Sequence, residues 1–160
     1  MTIYMYCDGI KGDVSSVQYQ NWIQLKKLQF HLESPVCTRV GDAVDRIKGQ
    51  PFVGEIQLLK SNDSSSLSLM NYLLSGVSIR TVKIHLCHSG SDLKPYEQYE
   101  LSNVLVSSFL ELKSEHVNQP LELIRLNFTK LEKTHIRYAK DGQAGAPERV
   151  GYDLKTAQIC

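Results

Sequence analysis

The sequence has no uninterrupted apolar run approaching the length that crosses a bilayer, so helical membrane insertion is not expected. The N-terminal MTIYMYCDGIKGD meets Asp8 and Gly9 before a signal-peptide core could develop, which points to a soluble chain made in the cytoplasm. A large excess of charge of either sign is also missing: 18 Lys and Arg face 17 Asp and Glu, a formal net charge of +1. Binding along a phosphate backbone needs a basic footprint, so nucleic acid is not an expected partner. The four cysteines (Cys7, Cys37, Cys87, Cys160) are scattered, form no Cys-x-x-Cys and follow no export signal. Reduced thiols are the expectation. Gly-x-Ser-x-Gly, His-Glu-x-x-His and Walker patterns are absent as well. GIKGD places a Lys between glycines, but the residues that follow carry no helical stripe, so it reads as a turn and not as a phosphate cradle.

What is present suits one domain of 160 residues built mainly from strands. TIYMYC opens with a strand rich in Ile and Tyr. In WIQLKKLQFHL the apolar parity slips from Ile23 and Leu25 to Leu28, Phe30 and Leu32. An extra residue at Lys26–Lys27 would turn the later side chains over, as in a β-bulge, and would put Gln29 and His31 on the face opposite the core. Residues 33–54 have no clean period and carry charges of alternating sign, which predicts an extended functional loop or a flap that orders on a partner, suited to a contact surface. DSSSLSLMNYLLSG is the one convincing helix, at about residues 64–75, with Asp63 or Ser64 to cap it and Gly76 to stop it. Leu67, Met70, Asn71 and Leu74 fall at helical spacing, and Leu69 and Leu73 widen the predicted apolar stripe. The remaining segments alternate as strands, which predicts a two-sheet antiparallel β-barrel or sandwich with one flanking helix.

IHLCHSG, residues 84–90, is the best-looking reactive cluster. A strand puts His85 and Cys87 on one face and His88 on the other, so the three do not converge on a metal. A Cys87 nucleophile would need a base from elsewhere, with His31, His116 and His135 as candidates. No metal, cofactor or catalytic residue is predicted.

Motif order adds a resemblance. LSNVLVSSF (Leu101, Val104, Val106, Ser107, Ser108), IRLNFTKL (Leu126, Asn127, Phe128) and VGYDL (Gly151, Tyr152, Asp153, Leu154) after a Gly/Ala/Pro-rich turn resemble successive strands of the Hcp family. This is the haemolysin co-regulated protein of bacterial type VI secretion systems. GIKGDV, WIQLKKLQF and SSLSLMNYLLSG resemble its first turn, second strand and helix, so the likeness is collinear over nearly the whole chain. It departs at residues 14–20 and 33–54.

The resemblance implies a single domain over 1–160 and a structural protein that is not an enzyme. It implies homohexameric rings stacked into a tube, a spike protein at the tip, a surrounding contractile sheath, and secreted effectors in the lumen. Export would proceed without a cleaved signal peptide. Gln29 and His31 are then expected to face the lumen and its cargo. Arg39, Asp42, Asp45, Arg46 and Lys48 are expected in the inter-ring loop. The alternatives are a phage-type tail-tube protein of the same fold, a small metal- or thiol-dependent β-barrel enzyme using Cys87 with a histidine, and a ligand-binding barrel.

Overall fold

The computed structural model describes residues 1–38, 40–41, 46–90, 92–116 and 118–160, leaving aside the side chain of Ile47. In chain order the strands begin β1 (Thr2–Cys7), β2 (Ile23–Leu25), β3 (Lys27–Gln29), β4 (Leu32–Glu33), β5 (Val36–Thr38), β6 (Arg46–Lys48), β7 (Phe52–Val53) and β8 (Ile56–Ser61). After helix α1 (Ser66–Ser75) come β9 (Ile79–Cys87), β10 (Pro95–Leu112), β11 (Leu121–Asn127), β12 (Lys130–His135), β13 (Glu148–Asp153) and β14 (Gln158–Ile159).

Two antiparallel sheets face each other. The first runs β2–β1–β9–β10–β12–β13–β14 and the second β3–β8–β11–β10. Their corners are where the alternation of apolar residues slips. Ile23 and Leu25 are buried in β2, Lys26 and Lys27 are exposed, and the chain leaves β1 to pair with β8. The expected irregularity at Lys26–Lys27 is therefore a crossing from one sheet to the other.

β10 makes the second corner. Its first part pairs with β9 and β12, and its last part, from Leu105, pairs with β11. Between them the buried set shifts from Tyr99 and Leu101 to Val104 and Val106, and Asn103 takes a left-handed φ of 52°. Asn tolerates that conformation better than most side chains. Strands that bend from one sheet into the next are how sandwich corners form. The ladder does not run on as a closed barrel, because β2 and β3 are consecutive pieces of chain and not paired neighbours. Of barrel and sandwich, the fold is a sandwich.

The inward sides of both sheets make one core, in which Met5, Ile23, Leu58, Ile84, Leu101, Ile124 and Leu126 are fully buried. Helix α1 packs against β10 and sends Leu69 into that core. Leu67 and Leu74 are 78% and 75% exposed, so the buried stripe is Ser66, Leu69, Tyr72 and Leu73, rotated from the expected Leu67–Leu74 line. Gly76 ends the helix in a left-handed conformation, φ 67°, with its N–H on the Tyr72 carbonyl at 3.1 Å. At the other end the cap position is Ser65 and not the expected Asp63 or Ser64, and Asp63 instead accepts the Ser65 N–H at 3.0 Å in an Asx turn.

Residues 33–54 are less loop-like than expected. Strand β4 pairs with β7 and β5 with β6, forming an arm of two short ladders that joins neither main sheet. The ladders have only two and three paired positions, too few to leave a visible period in the sequence.

Candidate functional site

Three places hold the residues that sequence reasoning singled out. The first is the outward face of the second sheet. β3 turns Gln29 to solvent, directly opposite Gln57 of β8. Gln57 faces Arg125 of β11, and Arg125 faces Ser108 of β10, so a polar row crosses all four strands. Beyond it Glu55 accepts hydrogen bonds from Ser107 at 2.9 Å and Asn127 at 3.3 Å. His31 is exposed but lies past the end of β3, at the root of the arm, where its carbonyl accepts the Gly54 N–H at 3.0 Å. Gln29 and His31 therefore do not share one strand.

The second is the arm. Arg46 and Lys48 are exposed on β6, whereas Arg39, Asp42 and Asp45 lie outside the described residues. Leu32, Val36 and Phe52 are each more than half exposed. Between the arm and the β12–β14 edge runs an apolar groove of about 450 Å³, lined by Phe30, Leu32, Val53, Leu131, Val150 and Ile159 among others.

The third is the His/Cys cluster. His85 and Cys87 share the outward face of β9, as alternation requires, and the Val17–Tyr19 turn and Trp22 cover them. Tyr19 stacks on Tyr4 at 4.4 Å and meets Trp22 edge-on. Its hydroxyl accepts the Cys87 thiol proton at 3.2 Å and lies 3.2 Å from His85 Nδ1. Burial, with a smaller push from Lys83, holds His85 down to about 4, so its ring is neutral at ordinary pH. A neutral ring lets Tyr19 donate to Nδ1, giving a chain from Cys87 through Tyr19 to His85. Burial raises the Cys87 thiol and pushes Cys7 up to about 12, so neither is an activated nucleophile. His88 is exposed beyond the strand and lies against Tyr96, with ring centroids 4.5 Å apart. Among the described residues no group of three His, Cys, Asp or Glu could hold a metal.

The lowered His85 value has a testable sign. An unfolded His takes up its proton near its ordinary 6.5, well before the folded one does. The unfolded state thus binds more protons between about 6.5 and 4, and stability falls as pH drops through that window. Thermal unfolding at a series of pH values is expected to show this slope, and His85→Gln is expected to flatten it. An unchanged slope in the variant would place the acid sensitivity elsewhere.

Sequence reasoning missed a charged group in the core. Lys60 and Glu122 are both fully buried and their side chains meet at 2.6 Å. Lys60 also contacts Asp63 at 2.9 Å, the Ser66 hydroxyl at 3.1 Å and the Ser61 carbonyl at 3.0 Å. Glu122 accepts further bonds from Asn62 at 2.7 Å and Ser66 at 2.9 Å. The network ties β8 and β11 to the first turn of α1. A signal was available: Lys60 has the parity of Ile56 and Leu58, and Glu122 that of Ile124 and Leu126.

Comparison with known proteins decides the family. The profile described as Type VI secretion system effector, Hcp, matches residues 4–135, well over half of the chain.

The chain belongs to the Hcp family.

No curated protein matches significantly. Among solved structures, one described as a type six secretion system protein superposes with a TM-score of 0.92 at 18% identity, covering 99% of both chains. Hcp1 from Salmonella typhimurium gives 0.80 at 18% identity, covering 99% of this chain and 98% of its own. A type VI secretion system effector from Yersinia pestis gives 0.73 at 21% identity, covering 94% and 98%. At these identities the structural likeness establishes the fold. Family membership makes this Hcp chain a structural component of type VI secretion and not an enzyme.

Proposed function

We propose that the protein assembles into hexameric rings that stack as the inner tube of a type VI secretion system, and that the tube is expelled by a contractile sheath behind a spike. In this reading the face bearing Gln29 lines the lumen and meets secreted effectors. The arm at residues 33–54, with Arg46 and Lys48, contacts the next ring. The chain is held in the cytoplasm before assembly and leaves through the apparatus without cleavage of a signal peptide. Among the described residues no helix is long and apolar enough to cross a membrane.

The observation that carries the proposal is the Hcp family match over residues 4–135. The surface supports it. An arm of two- and three-residue ladders is marginal in water by itself, and this one exposes Leu32, Val36 and Phe52. The second sheet also ends at β3 and the first at the two-residue β14, both open edges that a neighbouring copy could satisfy.

Light scattering after size exclusion is expected to give the hexamer mass, and negative-stain images are expected to show rings. A strict monomer at high concentration would refute the assembly. Phe52→Asp is expected to leave rings intact but to abolish stacked tubes, counted in the same images. Stacking as in the parent would remove the arm from the inter-ring contact.

A further inference from the structure

The outward face of the second sheet has an apolar half beside its polar row. β8 turns Leu59 outward, and β11 turns Leu121 and Leu123 outward. In β10 a register shift after Val106 sends Phe109 to the core and leaves Leu110 and Leu112 facing out. Pairing aligns these side chains in two rows: Lys27, Leu59, Leu123 and Leu110 across four strands, then Ser61, Leu121 and Leu112 across three. Leu110 and Leu112 are 48% and 49% exposed, and the other three leucines are partly exposed.

At ordinary strand and residue spacings the five leucines cover about 10 Å by 7 Å. That matches the apolar stripe on about two turns of an amphipathic helix. The charges nearest the leucines are basic. Lys27 ends the first row and Arg125 stands in the adjoining polar row, both exposed. Neither is in an ion pair with a described carboxylate. Glu55, the carboxylate beyond the polar row, is held by Ser107 and Asn127.

We infer that this face docks a cargo polypeptide segment presenting an apolar stripe flanked by carboxylates, as an acidic amphipathic helix does. The inference rests on the tube reading, in which the same face lines the lumen. Leu59, Leu110 and Leu123 supply the apolar contact, while Lys27 and Arg125 select for acidic flanks and set the register. A second copy is a poorer occupant. Its exposed α1 flank, Leu67 and Leu74, belongs to a helix with no acidic residue, and the described arm carries Glu33 balanced by Arg46 and Lys48.

The test uses the full chain in its assembled state and two fluorescent helical peptides of about 18 residues. Both carry the same Leu stripe, one with Glu flanks and the other with Lys flanks. Fluorescence anisotropy at low salt is expected to show the Glu peptide binding about tenfold tighter. Leu123→Gln and, at a more exposed position, Leu110→Gln are each expected to weaken binding about tenfold with assembly unchanged. Lys27→Glu combined with Arg125→Glu is expected to reverse the preference. Equal affinity for the two peptides, no binding by intact rings, or indifference to both Leu variants would overturn the inference and leave the tube reading standing. Disassembly caused by Leu110→Gln would mean that a second copy covers the face, and would also overturn it. Failure of the parent chain to form rings would instead refute the tube reading, and this inference with it.

Discussion

Replacing Glu122 by Leu is expected to destabilise the fold by about 3–5 kcal/mol, the usual cost of stranding one member of a buried ion pair. Lys60 has no exposed side-chain surface, so its ammonium would keep only Asp63, the Ser66 hydroxyl and the Ser61 carbonyl. Asn62 and Ser66 would each lose an acceptor at the base of α1. For a chain of this length the melting temperature is expected to fall by roughly 10 °C. Urea unfolding at fixed protein concentration, which holds any assembly equilibrium constant, is the direct measurement. The double variant Lys60→Met with Glu122→Leu is expected to recover much of the loss, since an apolar pair removes the stranded charge. Recovery should be incomplete, because the bonds of Asn62 and Ser66 to Glu122 do not return. A single variant as stable as the parent would show that the pair does not hold the two strands and the helix together.

Gly12→Ala is the next largest, expected to cost about 3 kcal/mol, at the upper end of the overpacking range. A Cβ at Gly12 would meet the Trp22 carbonyl carbon at 2.7 Å and the Ile23 Cα at 2.8 Å. These are backbone atoms that cannot swing aside. The turn after β1 is pressed there by the Gly12 N–H on the Asn21 carbonyl at 2.8 Å and the Val14 N–H on the Trp22 carbonyl at 3.1 Å. The second glycine of GIKGD therefore serves close packing and not a phosphate. Trp22 is the only tryptophan, so its fluorescence reports the displacement directly. Gly76→Ala is a useful contrast. No atom lies within 4 Å of a Cβ there, and only the left-handed φ opposes it, so about 1 kcal/mol is expected. Equal costs at the two positions would mean that contact with the Trp22 backbone is not what excludes a side chain at Gly12.

The parity slip in WIQLKKLQF was readable from the sequence because burial on one side of a strand forces strict alternation, and any break must be absorbed by the backbone. Whether the break was a local bulge or a corner could not be read, since both shift parity by one. The slip between Leu101 and Val104 carried the same information and went unread. Helix α1 was legible in its existence and its stop at Gly76, but not in its rotation. Leucines line more than one side of it, and only contact with β10 selected Leu69 over Leu67 and Leu74. The Lys60–Glu122 pair was half legible. Core parity flagged each residue, yet nothing in either strand said that the two would meet. That required β8 and β11 to pair and α1 to close over them.

In IHLCHSG, alternation put His85 and Cys87 on one face of β9, while His88 falls past the end of the strand. The cover over the remaining two came from Tyr19 and Trp22, more than 60 positions earlier in the chain, and it turned a reactive-looking pair into a buried thiol and a neutral imidazole. The apolar half of the second sheet divides in the same way. Each outward leucine is visible as an off-parity residue in its own strand, but only the antiparallel register across β8, β11 and β10 gathers them into one surface. Periodicity is a local property and the amino-acid order determines it. Which faces meet is set by pairing between distant segments, and that belongs to the tertiary structure alone.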